Sequence, residues 1–451
     1  MTTLRQFTLV CVVLALAACV SQPAGFQDQL SDWKKVQDAR EEQADPERDD
    51  LREDADLQQL LRYARANNPG LEAAFHEWKA ALERVPQVTT LPDPRLTFGV
   101  YLSEVETRVG PMQARVGVAQ PFPWFGKLDL AGDAAFEVSQ AARELLEAAR
   151  LEVDQRLREA WYEYAWVDQA ILIFEGNQEL LSHWESVARA RSETGIGRHS
   201  DVIRAQVELG KLQDRIQTLV DLRRPLIAKL NAALNRPPDA LLPRPTYPLQ
   251  EVPELDERTL MDSLLTTNPV LRAMNHRVEA ARVGIELADK EFYPDFAVGA
   301  DYTFIGSASN SSLSGSGDDA LALTFGFELP VWRDSYRAGV REAQARMERA
   351  RLDQEEALNR LSADLELALY ELRDAIRRVE LFRRSLVPKG EESVQALDIA
   401  YQSGEQGFLD LIDAERVLLE FQLQAARAEA DRAIALAEIE RITGIQLHPE
   451  L

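Results

Sequence analysis

Asn68-Pro69-Gly70-Leu71 recurs two hundred positions later as Asn268-Pro269-Val270-Leu271, and this recurrence decides how the rest of the chain is read. The same offset carries Pro94-Arg95-Leu96 with Gly99 onto Pro294-Asp295-Phe296 with Gly299. Further on, Thr194-Gly195, Asp201-Val202-Ile203 and Ala205-Gln206 match Ser403-Gly404, Asp410-Leu411-Ile412 and Ala414-Glu415 at an offset of 209. An ordered series with one small change of offset marks a duplicated unit. Repeat one therefore spans 57–235 and repeat two 257–445. A link at 236–256, with six prolines between Arg236 and Pro253, separates them, and 446–451 is left as a C-terminal tail.

Each copy carries the same parts in the same order. Asn68 stands where a helix N-cap belongs, and Pro69 occupies the first helical position, where its missing N–H costs nothing. That short helix is expected to reach about Val85, and its counterpart behind Asn268 and Pro269 about Phe292. Two strands follow, at about 95–105 and 113–120 in copy one and about 295–304 and 320–328 in copy two. Glu104 to Met112 is a short hairpin loop; Gly306 to Asp319 is rich in Ser and Gly, as an exposed loop would be. Leu96, Phe98, Val100 and Leu102 alternate with Thr97, Gly99, Tyr101 and Ser103. Leu321, Leu323, Phe325 and Phe327 alternate with Ala322, Thr324, Gly326 and Glu328. Period two, apolar on one face and small or polar on the other, suits transmembrane strands with lipid outside and water inside. A soluble hairpin with one buried face would alternate in the same way.

Long helices come next. Residues 132–192 contain no proline and are dense in Ala, Glu, Leu and Arg; at 1.5 Å per residue they make a helix of about 90 Å. The partner in copy two, 338–402, contains Pro388 and Gly390, where a kink or local unwinding is expected. Each long helix ends at a turn, Gly195 to Ser200 or Gly404 to Leu409. A return helix follows, 201–234 or 410–443. Helices of this length exceed what one globular core holds and fit a coiled-coil wall.

At the start of the chain, Phe7 to Ala18 is an apolar run of 12 residues interrupted only by Thr8, too short to span a bilayer and suited to a secretory signal. Leu16-Ala17-Ala18-Cys19 closes it in the order of a lipobox. Residues 1–18 are thus expected to leave, with lipid attached to Cys19 and an outer-membrane destination favoured by Val20. Gln22 to Asp54 is a charged stretch, expected to serve within 19–56 as a tether. With Cys11 lost, no disulfide can form within the chain. The net charge of −24 argues against nucleic acid as a partner. It would suit a duct for cations, although acidic helix surfaces carry such charge without any such role.

Four strands cannot close a barrel, and an open sheet edge is not tolerated in lipid. If the strands lie in a membrane, several chains must pool them, and three chains of four give twelve. The chain resembles the TolC family of outer-membrane efflux factors. The resemblance rests on the Asn-Pro-x-Leu opening and the strand starts at Pro94 and Pro294. It rests also on Gln120-Pro121-Phe122-Pro123-Trp124-Phe125-Gly126-Lys127-Leu128 at the strand-to-helix junction, answered in copy two by Pro330. The tip signature is Tyr401-Gln402-Ser403-Gly404 with Phe408-Leu409-Asp410-Leu411-Ile412. It implies a mainly α protein with a membrane β-barrel portion: a homotrimer with a 12-strand barrel, long antiparallel helical hairpins forming an α-barrel across the periplasm, and a closable entrance. It further implies a periplasmic adaptor and an inner-membrane pump of the resistance-nodulation-division type as partners, besides outer-membrane lipid. Copy one departs at the tip, with Ser192 in place of the Tyr and His199-Ser200 in place of Phe-Leu. The Pro-Trp-Phe-Gly-Lys junction is similar to that of members working with heavy-metal cation pumps.

No nucleophile–base set, phosphate loop or zinc spacing stands out, so no catalytic site, metal site or cofactor is expected beyond the lipid on Cys19. His76 and His276 occupy equivalent repeat positions, as packing or surface residues would. Trp161, Tyr162, Tyr164 and Trp166 lie at spacings usual for helix packing. Gly195, Asp201, Gly404 and Asp410 are the candidate entrance residues, the two aspartates reading first as helix caps. An exit duct for heavy-metal cations is the preferred reading. Drug or solvent efflux, type I secretion, and a lipid-anchored periplasmic coiled-coil scaffold are its rivals.

Overall fold

The computed structural model describes residues 22–43, 51, 55–245, 255–309 and 314–447. The signal segment, Cys19 and parts of the link, of the second hairpin loop and of the C-terminal tail lie outside the described residues. Along the chain come α1 (Phe26–Gln43), α2 (Leu57–Asn67), α3 (Pro69–Thr89), β1 (Arg95–Thr107), β2 (Gly110–Phe122), α4 (Lys127–Glu193) and α5 (His199–Ala233). Copy two follows as α6 (Glu257–Thr267), α7 (Pro269–Lys290), β3 (Asp295–Ile305), β4 (Ala320–Glu328), α8 (Arg333–Leu381), a π-helical turn (Phe382–Leu386), α9 (Val387–Ser403) and α10 (Phe408–Thr443).

The opening of each copy is two helices, not one, with the asparagine between them doing three jobs. The Asn68 Oδ1 accepts the N–H groups of Gly70 and Leu71 at 2.8 and 3.2 Å and so caps α3. Its Nδ2 donates to the Ala233 carbonyl at 2.9 Å, at the end of the return helix, and its own N–H donates to Ala64 O, closing α2. Asn268 repeats the pattern, accepting from Leu271 N–H at 2.9 Å and donating to Ile442 O at 2.7 Å. The duplication thus preserves a hydrogen-bond circuit as well as a sequence.

Several expected boundaries move: the copy-two long helix begins at Arg333 rather than 338, and the return helices at His199 and Phe408 rather than 201 and 410. The long helix of copy one begins at Lys127 rather than 132, because Gly126, at φ 85°, turns the chain directly into it. In copy two the irregularity falls at Phe382–Leu386, one turn before Pro388, where Val387 N–H reaches back to Phe382 O. Pro388 then sits in the first turn of α9, where a missing donor is tolerated. The first hairpin is longer than 95–105 and 113–120 suggested. Its strands run to Thr107 and from Gly110, leaving Arg108-Val109 as the connection in place of Glu104–Met112.

The tether expected before residue 56 is in part a helix. In α1, Phe26 and Trp33 are buried, Gln29 accepts from the Ser139 hydroxyl at 2.7 Å, and Lys79 Nζ lies 4.6 Å from the Trp33 ring centre.

The chain divides into two compact units. One comprises 1–35, 76–143 and 273–355 and contains the sheet; the other comprises 36–75, 144–272 and 356–451 and is helical. In the helical unit Leu60, Leu61, Leu157, Leu230 and Leu234 are fully enclosed in one cluster, each contributing about 1.5–3 kcal/mol by leaving water. Trp161, Tyr162 and Tyr164 join it as packing residues, and burial pushes the Tyr162 hydroxyl up to about 12. A second cluster, around Leu181, Trp184, Phe408 and Leu411, fills the end where the long helices turn back.

Candidate functional sites

The four strands form one antiparallel sheet in the order β1-β2-β3-β4, so the central seam joins copy one to copy two. The register sorts the side chains. Phe98 lies opposite Val116, Val116 opposite Tyr302, and Tyr302 opposite Leu321. The next rows on that face hold Leu96, Val118, Ala300 and Leu323, then Val298 and Phe325. This apolar face stands open: Phe98 and Phe325 are each 69% exposed, and Leu323 is 66% exposed. An apolar face left bare across four strands has no place in water.

The opposite face is made of small and polar residues. Its rows are Thr97, Gly117, Asp301 and Ala322, then Gly99, Arg115, Thr303 and Ala320. Arg115 is paired diagonally with Asp301, Nη2 to Oδ2 at 2.9 Å. A Cβ at Gly117 would stand 2.1 Å from Asp301 Oδ1, so only glycine lets that carboxylate lie across β2 to its partner.

At the strand-to-helix junction, Pro123 directly follows the last strand residue and Gly126 makes the turn. Lys127 buries its ammonium against Asp295 Oδ1 at 2.9 Å and Glu291 Oε2 at 3.2 Å. Trp124 N–H donates to Asp295 Oδ1 at 2.7 Å, and the Trp124 ring stacks on Tyr293 at 5.5 Å. The end of copy one's hairpin is thereby clamped to the start of copy two's. Pro330 follows β4 in a short non-helical link with Leu329, Val331 and Trp332 exposed beside it; Phe125 is likewise exposed.

At the tips, Gly195 and Gly404 both adopt left-handed φ, 77° and 86°, where a side chain would be strained. Arg191 of copy one reaches across to copy two. Its Nη1 donates to the Tyr401 and Gln402 carbonyls at 2.6 and 2.9 Å, and its guanidinium lies 4.9 Å from the Tyr401 ring centre. These carbonyls belong to the last turn of α9, where Tyr401 O also accepts the Gly404 N–H at 3.1 Å and the helix end favours a cation.

A family model described as outer membrane efflux protein matches residues 60–235 and 260–445, one segment for each copy. The chain belongs to the outer membrane efflux protein family. It is 22% identical over 395 residues to the cobalt-zinc-cadmium resistance protein CzcC of Cupriavidus metallidurans, covering 86% of this chain and 90% of that one. It is 22% identical over 480 residues to the pyoverdine export outer membrane protein OpmQ of Pseudomonas putida, covering 98% of each. Its fold matches the solved structure of the channel protein CusC with a TM-score of 0.75 at 16% identity, over 86% of this chain and 92% of that one. The expected fold class therefore stands, and this efflux protein is an outer-membrane channel protein and not an enzyme.

The expected entrance residues divide. Gly195 and Gly404 both end long helices. Asp410 sits in the first turn of α10 and accepts the Gly407 N–H at 3.3 Å, a capping contact. Asp201 does not cap: Arg198 holds the N-cap position of α5 without a side-chain bond, and Asp201 lies three residues further on. The departure of copy one at the tip also has a structural expression. Tyr401 and Phe408 pack together at 5.2 Å and are buried, whereas His199 is exposed. His276 bonds Glu137 at 2.7 Å. Among the described residues no group of three or more His, Cys, Asp or Glu could hold a metal ion, and no helix is long and apolar enough to cross a membrane.

Reading the sequence missed Arg191 and Glu415 as residues of consequence, and took Lys127 as part of the junction motif without its pairing to Glu291 and Asp295. Glu415 had a legible signal, since it shares the helix face of Leu411 and Leu418 at spacings of four and three. Arg191 had none, because its partners are backbone carbonyls 210 and 211 positions away. Arg191→Ala is expected to weaken the tip by about 1–2 kcal/mol and to speed amide exchange at residues 404–407. Arg191→Lys should restore the charge but only part of the protection, an ammonium lacking the planar fork. Unchanged exchange in both variants would remove Arg191 from the tip's stability.

Proposed function

We propose that three copies of this chain pool their strands into a 12-strand barrel and their helices into a periplasmic tunnel. The ring is the passive exit duct of a tripartite system with a periplasmic adaptor and an inner-membrane resistance-nodulation-division pump. The observation that carries this reading is the bare apolar face of a four-stranded sheet whose edge strands β1 and β4 each have one neighbour. Lipid satisfies the face and sister strands satisfy the edges. Exposed Phe125 and Trp332, just outside the strands, suit the aromatic girdle at a membrane boundary.

Heavy-metal cations are the proposed cargo, supported by the likeness to CzcC across nine-tenths of that protein and by the Pro-Trp-Phe-Gly-Lys junction. The equal identity to OpmQ favours a second reading, export of a small organic chelator. A lipid on Cys19 would add an anchor beside the barrel. Mass measurement of the detergent-extracted complex should return three chains; one chain, or release by carbonate washing, would leave the lipid-anchored scaffold as the better account. Deletion should lower survival in cobalt, zinc or cadmium; sensitivity confined to organic compounds would overturn the cation assignment and leave the duct intact.

A further inference from the structure

In the helical unit, a polar cavity of about 440 Å³ lies between α5 and α10, and one wall of it is Glu415. The Glu415 side chain is almost wholly enclosed, at 2% exposure, and its Oε1 has no hydrogen-bond partner. Leu411, Ile412, Leu418 and Leu419, on the same helix, belong to the apolar cluster at the tip. The polar groups facing the cavity are already engaged or differently placed. From α5 come Glu208, Lys211 and Arg215; from α10, besides Glu415, come Arg416, Glu420 and Gln424; α4 offers only Leu181. Glu208 takes Arg416 Nη2 at 2.5 Å and Lys211 Nζ at 2.8 Å, Arg416 also pairs with Asp413 at 3.0 Å, and Arg215 is exposed, so none of the three cations is bonded to Glu415. The helix α9 packs on α10 where Gly390 meets Leu418, and its Glu391 and Glu392 are exposed.

We propose that Glu415 is a proton-controlled latch of the tip: protonated, it closes the α5–α10 seam as a neutral core residue, and ionised, it loosens that seam. A carboxylate here would be an unpaired buried charge standing beside a second carboxylate, Glu208. Burial first and Glu208 second push the Glu415 carboxyl up to about 7, against the opposing pull of Arg416. The sign follows. A carboxyl whose pKa is higher in the packed state favours packing below its unpacked value of 4.5. That advantage is lost progressively as pH climbs to about 7, and the seam is weakest above it. The shift corresponds to about a three-hundredfold change in the packed-to-loosened ratio across that interval. At the equivalent position copy one carries Gln206, which is exposed and bonds Glu185 at 3.0 Å, so the latch belongs to copy two alone.

The test uses the full chain in detergent, with hydrogen–deuterium exchange at pH 5.5 and pH 8 corrected for intrinsic rates. Amides of 205–215 and 408–420 should lose at least tenfold protection at the higher pH. Glu415→Gln, a neutral mimic of the protonated form, should stay protected at both. Glu208→Gln removes the neighbouring carboxylate and frees Arg416 and Lys211, so it should carry the midpoint of the loss to lower pH; a midpoint unmoved or raised would overturn the role of the Glu208 network. Equal pH dependence in wild type and Glu415→Gln would overturn the latch itself. Should Glu415→Gln fold poorly, direct carboxyl titration of wild type by isotope-edited infrared decides: a midpoint near 4.5 for Glu415 refutes the proposal, and one near 7 supports it.

Discussion

Phe325→Arg is expected to keep the chain out of the outer membrane. Phe325 lies in β4, 69% exposed, opposite Val298 and between Leu323 and Phe327 on the same apolar face. Arginine on the lipid face of a barrel costs about 2–4 kcal/mol near the bilayer midplane. A symmetric ring repeats the substitution in every subunit, so three copies would lose about 6–12 kcal/mol, comparable to the whole stability of a folded domain. Ala322→Lys is the matched control. It lies on the small-residue face opposite Asp301, where water and a carboxylate would receive the added cation. Membrane fractionation should find the Ala322 variant with outer membranes and the Phe325 variant degraded or soluble. Equal loss of both would mean that the two faces do not differ as lipid and water do.

Arg158→Leu and Glu440→Leu should each destabilise the helical unit by about 3–5 kcal/mol, while the double variant recovers most of the loss. Arg158 on α4 and Glu440 on α10 are hydrogen-bonded to each other, with side chains only 7% and 4% exposed. The second Glu440 oxygen accepts the Leu447 N–H at 2.6 Å. Removing either partner leaves a full charge enclosed without its counterpart, and the protein environment cannot hydrate it. Replacing both removes the desolvation penalty along with the attraction. Denaturant unfolding of the detergent-solubilised chain measures all three. Single variants within 1 kcal/mol of wild type would show that water reaches the pair.

The sequence revealed those parts of this protein whose physics is local. Strands announced themselves by period two over about 95–105 and 295–304, short of their ends at Thr107 and Ile305, and helices by their composition. The asparagine circuits were half legible, since capping follows from Asn-Pro, but the bonds from Asn68 to Ala233 and Asn268 to Ile442 join residues far apart in sequence. Helix α1 was misread because its charged residues outnumber its apolar ones. Phe26, Leu30 and Trp33, at spacings of four and three, were the stripe that could have exposed it. Asp201 and Asp410 show the limit most directly. They occupy equivalent positions, yet only Asp410 has a glycine N–H within reach. Glu415 was half legible: its place on the face of Leu411 and Leu418 was a signal, but a glutamate on a charged helix ordinarily faces water, and its neighbours across the seam reverse that.

The placement of the four strands has a consequence for how subunits come together. Because β1 and β4 are the two rims of one sheet and belong to different copies, the contact between neighbours in the proposed ring would be heterologous: the leading rim of one subunit would take the trailing rim of the next. Such a contact carries no stop signal of its own. Repeated with enough turn per step it closes on itself, and with too little it grows into an open ribbon. Strand pairing alone therefore cannot count subunits. The count must come from the angle at which each sheet meets the next, and a subunit waiting in water with both rims bare is a seed for fibres until a neighbour arrives.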